Sequence, residues 1–545
     1  MEGLVATAHN VHRTLAQVAD VQRWAMPSVS SMSDSGAPTP SDTTALPGPP
    51  PSWVAGRGVP VPREAGRLAR VLVAFWAGRR QPVATSTLVL CAVVGVLGGV
   101  LLVGHRPGLG AALIGLVVWA AAAPALFRRR DVNDLVTAAL SIALFAVVAV
   151  RDAGWVVVLC ALVAAWTGVV AVTSARSAPA AVLAPLTWAA GTVRAMPWVA
   201  KGVETLSGSR RGQLLVALRS VAITVGLLLV FGFLFASSDR VFARLMPRVD
   251  AELVPGQVVV GVLAAVVAAA LAHLALAPPS WSDARLAPRP AAKRGEWLLP
   301  VLALDTLVLL FVLVQVGALL GGHRHVLETE GLTYAEYARE GFAQLVAVTV
   351  LTLVVVAVAA RRAPRETPRD LLMSRLALGT LCVGTLGVVA SALRRMDLYV
   401  EAFGLTRLRI VVSVTEIALA AIFVLLLVAG VRWRGAWLPR AVLQVVGVAM
   451  LGLALVNPDA QIVRHNTTAD LESTLDADYL AGLSADAVPA FDQIEGEPAL
   501  RRCLLATAAV ATSTGIADWN LGRERAAQVL ATEQPDSDRW CTSDR

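Results

Sequence analysis

Residues Leu298 to Leu320 read LLPVLALDTLVLLFVLVQVGALL, an apolar run in which Asp305 is the only ionisable side chain. A helix needs about 20 predominantly apolar residues to cross the hydrocarbon core of a bilayer, within a usual range of about 17–25. This run satisfies that requirement, so it predicts a membrane-spanning helix.

Further runs of the same kind occur along the chain, and none alternates in the manner of a barrel strand. We therefore expect an all-α fold, a polytopic transmembrane helical bundle of about eleven spans. The other ten are expected near Thr85–Leu102, Leu109–Leu126, Leu135–Val150, Trp155–Val172, Leu214–Phe235, Val258–Leu276, Phe342–Ala360, Leu376–Leu393, Ile410–Ala429 and Ala441–Val456.

The composition supports this class. Hydrophobic residues make up 56% of the 545 residues and charged residues only 16%, whereas soluble proteins carry roughly 25% charged residues. Of the 47 Lys and Arg residues only Lys201 and Lys293 are lysines. Together with abundant Ala, Val and Gly, this bias is typical of a high-GC genome and indicates a bacterial source.

The positive charge is distributed by side. Most Lys and Arg residues fall before the first span and in alternate loops, which the positive-inside rule assigns to the cytoplasm. We therefore expect a multi-pass protein of the inner or plasma membrane with a cytoplasmic N-terminus and an extracytoplasmic C-terminus. The net charge of +8 is then explained by the basic residues on the cytoplasmic side of the membrane. No nucleic-acid partner is expected.

Three regions are predicted. Residues 1–80 form a cytoplasmic arm, largely disordered, with a basic helix beside the membrane. Residues 81–463 form the transmembrane helical domain. Residues 464–545 form an acidic extracytoplasmic tail, in which the patterns at Leu471–Leu483 and Ala499–Thr512 predict helices.

The segment Ala178–Gly202 is harder to assign. Three prolines, Pro179, Pro185 and Pro197, interrupt it, and proline disrupts the interior of a helix. We expect an interfacial helix here, and a twelfth span or a re-entrant segment is the alternative.

The five cysteines divide by location. Cys91, Cys160 and Cys382 fall in predicted spans, where small buried thiols are common. Cys503 and Cys541 fall in the tail, where an oxidising compartment favours a disulfide between them. Two free thiols are the alternative, and no spacing of Cys and His predicts a zinc site or any other cofactor.

Two acidic residues fall inside predicted spans, Asp305 and Glu416. Ionisable residues at membrane depth are costly and are functional candidates by default. Each carboxyl could relay protons or hold a cation in a polar path. The alternative, which we favour, is a neutral, hydrogen-bonded carboxyl that ties two helices together, or a carboxyl paired with a nearby Arg.

A polar loop, GGHRHVLETEGLTYAEYAREGF, joins two spans from Gly321 to Phe342. Thr333 and Glu336 fit a capping box, which predicts a helix that runs into the next span. A metal site is conceivable there, but a capped entry to a membrane helix is favoured. The candidate side chains of this loop are Tyr334, Glu336, Tyr337 and Glu340.

A second polar loop, RRMDLYVEAFGLTRLR, runs from Arg394 to Arg409. It predicts a short helix on the outer surface that ends at Gly404. Its arginines and aromatic rings could meet a lipid phosphate or a glycan, but ion pairs with nearby acids are favoured. The candidate side chains are Arg394, Arg395, Tyr399, Glu401, Arg407 and Arg409.

Three long motifs carry a resemblance: LTYAEYAREGF at Leu332–Phe342, MDLYVEAFGLTRLRI at Met396–Ile410 and NPDAQIVRHN at Asn457–Asn466. In this order and spacing they resemble a family of bacterial multi-pass proteins, domain of unknown function 4153, with the closely similar 4173. The resemblance covers roughly Arg211–Asn466 and the stretch LDADYLAGLSADAVP of the tail. It implies the topology and no reaction.

Three function classes remain open. A non-catalytic envelope or signalling-associated component, with outer loops and tail as binding surfaces, ranks first. A secondary transporter or channel that uses Asp305 and Glu416 is the alternative, and a membrane enzyme acting on a lipid-linked envelope substrate is third. The expected partners are the lipid bilayer and another membrane or envelope protein.

Overall fold

The computed structural model describes residues 83–238, 252–279, 281, 293–320, 342–433, 435–472, 474–511, 513 and 515–532. These residues form helices, turns and irregular connections, and no strand occurs among them. The predicted N-terminal arm lies outside the described residues.

The helices are numbered here in chain order. Their bounds are α1 Thr85–Leu102, α2 Leu109–Arg129, α3 Val132–Ala146, α4 Gly154–Thr173, α5 Ala178–Leu183, α6 Thr187–Ser238, α7 Val254–Leu276, α8 Arg294–Leu320, α9 Phe342–Arg362, α10 Pro368–Phe403, α11 Arg407–Arg432, α12 Leu438–Val456, α13 Pro458–Thr468, α14 Ala477–Ala481, α15 Val488–Phe491, α16 Pro498–Thr507 and α17 Leu521–Thr532.

Ten of these helices are long and apolar enough to cross a membrane, within the described residues. They are α1 to α4 and α7 to α12, and each overlaps one predicted span. The remaining predicted span, Leu214–Phe235, lies inside the long helix α6. An all-α polytopic helical bundle is thus confirmed, and the chain is a multi-pass membrane protein.

These ten helices and α6 pack in two groups. The first contains α1, α2, α3, α4, α6, α7 and α12, and the second contains α8, α9, α10 and α11. The two groups meet where α11 packs against α12. The second group has an apolar core that includes Trp297 of α8, Leu381 of α10 and Phe423 of α11.

Within the first group, α1 packs extensively against α7. Gly95, Gly98 and Gly99 lie on the contact face of α1. A Cβ atom at Gly95 would lie 3.1 Å from the carbonyl oxygen of Gly261, and one at Gly98 would lie 2.6 Å from Ala264 Cβ. Small residues let the two backbones approach, as is usual for helices packed within membranes.

The segment with three prolines differs from expectation. Pro179 lies in the first turn of α5 and Pro185 in a short 3-10 helix, where the missing N–H group does little harm. Pro197, however, lies inside the continuous helix α6. The expected break at Pro197 is therefore wrong. The N-terminal part of α6 packs on α7. Gly191 lies against Leu274, and the ring centres of Trp198 and His273 are 5.1 Å apart with the rings inclined at 47°.

Helices α13 to α17 pack on one end of the bundle, and we call the described residues from Pro458 to Thr532 the cap. Its apolar core includes Ile462, Leu480, Phe491 and Leu504, all fully buried. The end of the bundle that carries the cap is called the cap end, and the other the opposite end.

Two sequence predictions in the cap need correction. The predicted helix Leu471–Leu483 shrinks to α14, because Asp476 caps its start through the Tyr479 N–H group and Gly482 ends it. The predicted helix Ala499–Thr512 is found as α16 and ends earlier, at Thr507.

Candidate functional site: the seam between the cap and the spans

The cap is joined to the loop between α1 and α2 by main-chain hydrogen bonds. The N–H groups of Leu109 and Gly110, which open α2, donate to the carbonyl oxygens of Trp519 and Ala517, each at 2.8 Å. The first N–H groups of a helix have no partner within the helix. Residues more than 400 positions away therefore complete the start of α2.

Arg523 of α17 fixes the same contact through its side chain, which is 5% exposed. Its Nη1 atom donates to Asp152 Oδ1 at 2.5 Å. Its Nη2 atom donates to the carbonyl oxygens of Pro107 at 2.9 Å and Asp518 at 2.6 Å. One guanidinium thus links α17 to two loops between spans.

Asn520 caps the start of α17 and also holds a loop. Its Oδ1 atom accepts from the Arg523 N–H group at 3.1 Å. Its Nδ2 group donates to the carbonyl oxygens of Val148 and Arg151, both at 3.0 Å. The side chain is fully buried, so all of these bonds are shielded from water.

We call the contacts that join the cap to the spans and to the loops between them the seam. Asp486 is a buried acid within it. Its Oδ2 atom accepts from the N–H groups of Asp152 and Ala153, each at 2.7 Å, and Arg151 Nη1 lies 3.9 Å from Oδ1. Burial raises the pKa of Asp486, and the two N–H groups with the Arg151 charge offset that effect only in part. Asn457, at the end of α12, donates through Nδ2 to the main-chain carbonyl oxygen of Asp486 at 2.9 Å.

A second buried acid, Asp459, holds Arg407 at the start of α11. Arg407 donates through Nε to Oδ1 at 3.1 Å and through Nη2 to Oδ2 at 2.7 Å. Trp155 Nε1 and the Ser484 N–H group donate to the same carboxylate at 3.2 and 3.0 Å. Burial alone would raise the pKa of Asp459, but the bonds from Arg407 and Ser484 outweigh it and hold the pKa below 3.8.

The other predicted residues of the Arg394–Arg409 loop are engaged with one another. Arg394 Nη1 lies 4.0 Å from Glu401 Oε1. The Arg409 guanidinium lies 4.1 Å from the ring centre of Tyr399 and donates to the carbonyl oxygens of Phe403 and Gly404. Arg395 lies on the same helix and is half-buried.

The expected short surface helix is wrong, because α10 runs without interruption from Pro368 to Phe403. No glycine or proline that would break the helix occurs in its last turns. Gly404, at φ 76°, ends it as predicted.

Asp305 and Glu416 are buried in the second group of helices, 5% and 1% exposed. Asp305 shares a face of α8 with Val301 and Val308 and lies near Cys382 of α10. Neither carboxyl has a hydrogen-bond partner among the described residues. The structure does not bring the two acids to the seam.

Two sequence predictions concern residues that are not described. The candidates Tyr334, Glu336, Tyr337 and Glu340 all lie outside the described residues. Cys503 is disulfide-bonded, whereas its predicted partner Cys541 lies outside the described residues. The pairing stays a prediction.

A separate polar cluster at the opposite end was missed by the sequence reasoning. Arg440 Nη2 of α12 forms an ion pair with Asp134 Oδ1 of α3 at 2.7 Å, and Ser174 Oγ donates to Asp134 Oδ2 at 2.5 Å. Arg129 donates to the carbonyl oxygens of Val172 and Ala275. The clue was available, since Asp131 and Asp134 directly follow three arginines at a span end. These contacts tie α2, α3, α4, α7 and α12 together.

The sequence reasoning also passed over Asp459, Asp486 and Arg523, which build the seam. Asp459 and Asp486 lie within motifs that carry the resemblance, so they were visible there as family positions. Arg523 gave no sequence signal, because it is one of many arginines. In the part of the chain that the structure describes, no group of three His, Cys, Asp or Glu side chains is placed to hold a metal ion.

Comparison with known proteins gives one match, to a family model. No curated protein matches the chain, and no solved structure matches it. The family model for a domain of unknown function, DUF4153, matches residues 139–494. The match begins well before Arg211, the expected limit, and so takes in the loop that carries Arg151 and Asp152. The chain therefore belongs to the DUF4153 family of domains of unknown function.

Proposed function

We propose that this protein is a non-catalytic component of the bacterial envelope whose cap and adjoining loops form a rigid binding platform outside the plasma membrane. The observation that carries the proposal is the interlocked seam. Arg407–Asp459 and Arg523–Asp152 each join the cap to a different loop or span through an almost completely buried group. Such pairs fix one arrangement, because separating the partners would leave a buried charge uncompensated.

Two observations support the orientation. Basic residues gather at the opposite end of the described helices, for example Arg128–Arg130, Arg361 and Arg432, and the positive-inside rule places such residues in the cytoplasm. The cap holds the disulfide-bonded Cys503, and disulfides persist in oxidising compartments. The cap end then faces outward.

Site-specific photocrosslinking in intact cells tests the platform. A photoreactive amino acid is placed at exposed cap positions, such as Arg502, and at lipid-facing positions, such as Leu299. The expected result is one defined crosslinked product from the cap sites, which is absent from the Leu299 site and reduced when Asp459→Asn loosens the seam. The same products from both sites, or no cap product, would contradict the proposal.

Transport is the second candidate, since Asp305 and Glu416 are buried at membrane depth without a described partner. Intramembrane acids of this kind mark proton or ion pathways in many proteins. Proton flux into proteoliposomes tests it, with Asp305→Asn and Glu416→Gln as the variants. Flux that both variants abolish would favour transport over the platform, and the lack of any flux in the unmodified protein would remove this candidate.

A further inference from the structure

The seam contains a cavity of about 90 Å³ that the ion pairs described above do not fill. It lies where α12 ends, among residues of the loop between α3 and α4, of α13 and of α17. A water molecule occupies roughly 30 Å³ in the liquid, so the cavity has room for a few waters or one small ion.

Three arginines from three different elements line this cavity: Arg151, Arg464 and Arg525. The acidic tail makes this gathering unusual, because arginines there are outnumbered by acids. Burial lowers the pKa of Arg151, the Asp486 charge raises it, and the Arg525 charge lowers it again. Arg151 and Arg525 therefore repel each other across the cavity.

The guanidinium groups of Arg151 and Arg464 are held in place by hydrogen bonds that engage only some of their N–H groups. Arg151 donates through Nε to the Ala454 carbonyl oxygen at 2.6 Å and through Nη2 to the Leu455 carbonyl oxygen at 2.8 Å. Arg464 donates to Gln493 Oε1 at 3.3 Å. A guanidinium has five N–H donors, so both arginines retain donors for a ligand.

Asp486 is the one acid among the described residues that line the cavity, and only one of its two carboxylate oxygens has hydrogen-bond partners there. Oδ2 accepts from the N–H groups of Asp152 and Ala153, and Oδ1 packs against Gly522, where a Cβ atom would collide with it. One negative charge therefore faces three positive charges, which leaves an excess of two positive charges in the cavity.

We propose that this cavity binds a phosphate-class dianion, either free in the medium or as the headgroup phosphate of an anionic lipid. Arginine matches the geometry of phosphate oxygens and forms strong charge-assisted hydrogen bonds with them. The end of a span lies at the depth of the lipid headgroups, so both sources can reach the site.

The test uses purified full-length protein with two probes. One arm titrates inorganic phosphate in a neutral detergent by calorimetry. The other measures retention of phosphatidylglycerol by mass spectrometry after exchange into nanodiscs of phosphatidylcholine. The variants are Arg464→Gln and Arg525→Gln, made singly and together, since both side chains are exposed. The matched control is Arg502→Gln, which changes an exposed arginine of α16 whose Nε donates to the Pro498 carbonyl oxygen of the same helix.

We expect the unmodified protein to bind at least one probe, and each single variant to weaken that binding about tenfold or more, as loss of a charged hydrogen bond should. The Arg502→Gln variant should bind normally. Binding of phosphate assigns a free anion, and selective retention of phosphatidylglycerol assigns a lipid headgroup. If neither probe binds, or if the single variants bind as tightly as the control with unchanged thermal unfolding, the proposal is wrong.

Discussion

Two pairs of buried acids in this protein have similar exposure and different surroundings. Asp459 and Asp486, at the seam, are 0% and 2% exposed, while Asp305 and Glu416, in the spans, are 5% and 1% exposed. The seam acids accept hydrogen bonds from the cap, the loops and the spans. The span acids have no described partner. Burial alone therefore does not reveal the role of an acid; its partners do.

The largest effect should come from breaking the Asp459 site. Asp459→Asn keeps the shape but removes the charge that Arg407, Trp155 and the Ser484 N–H group all contact. Removing one partner of a buried ion pair typically costs about 3–5 kcal/mol. Unfolding by denaturant in detergent, with tryptic cleavage of the cap as a second readout, measures this loss.

The matched control for that change is Asp470→Asn, an exposed acid of the same region. Surface substitutions usually change the unfolding free energy by less than about 0.5 kcal/mol. If Asp459→Asn behaves like Asp470→Asn, the ion pair does not hold the cap in place.

A smaller loss is expected from Gly522→Ala. The new methyl group would collide with Asp486 Oδ1, so α17 or the acid must move. Overpacking of this kind typically costs about 1–3 kcal/mol, and thermal unfolding with cap proteolysis detects it. Gly452→Ala, within α12 and with no neighbour within 4 Å, should be neutral or slightly stabilising.

As the pH falls, the contributions of Asp459 and Asp486 to stability should change in opposite directions. The pKa of Asp459 is held below 3.8, so its contribution to stability is present at neutral pH and is lost as the pH falls through that lowered value. The pKa of Asp486 is raised, so its contribution is greatest in acid and is lost as the pH rises through the raised value.

Acidification from neutral pH should therefore first strengthen the seam at Asp486 and then weaken it at Asp459. Thermal unfolding against pH checks this, with Asp486→Asn and Asp459→Asn as the two variants. Asp486→Asn should lose the initial gain, and Asp459→Asn should lose the later decline. Curves parallel to that of the unmodified protein would show that neither acid titrates as expected.

The smallest effect on stability is expected in the spans. Asp305→Asn and Glu416→Gln keep the side-chain shape and remove no bond that the described residues provide. The unfolding free energy should change by less than about 1 kcal/mol. A larger loss of unfolding free energy in denaturant would show that a residue outside the described part of the chain pairs with that acid. The span acids would then have partners, as the seam acids do.

The spans could be predicted from the sequence because each is a local property. About 20 apolar residues in a row specify a membrane helix whatever lies elsewhere in the chain. The turn at Asn457 was visible for the same reason, since Asn-Pro favours a turn, and Asn457 has φ 57°. The polar last turns of α10 predict a separate surface helix, whereas the structure continues α10 through them to Phe403.

The seam could not be predicted because its partners are distant in sequence. Arg523 and Asp152 are 371 positions apart, and Arg407 and Asp459 are 52 apart. Nothing in the composition of either segment indicates which acid meets which arginine. The sequence predicts ion pairs for the Arg394–Arg409 loop with nearby acids, whereas Arg407 pairs with Asp459.

The main-chain bonds between α2 and the cap bear on the order in which the protein is made. Leu109 and Gly110 are made more than 400 residues before Ala517 to Trp519, so their N–H groups lack these partners until that later segment has been synthesised. Domains and segments generally fold as they emerge, with the N-terminal ones first. A segment that is made much later therefore completes the start of α2, and a chain truncated before residue 517 would insert its spans without these bonds.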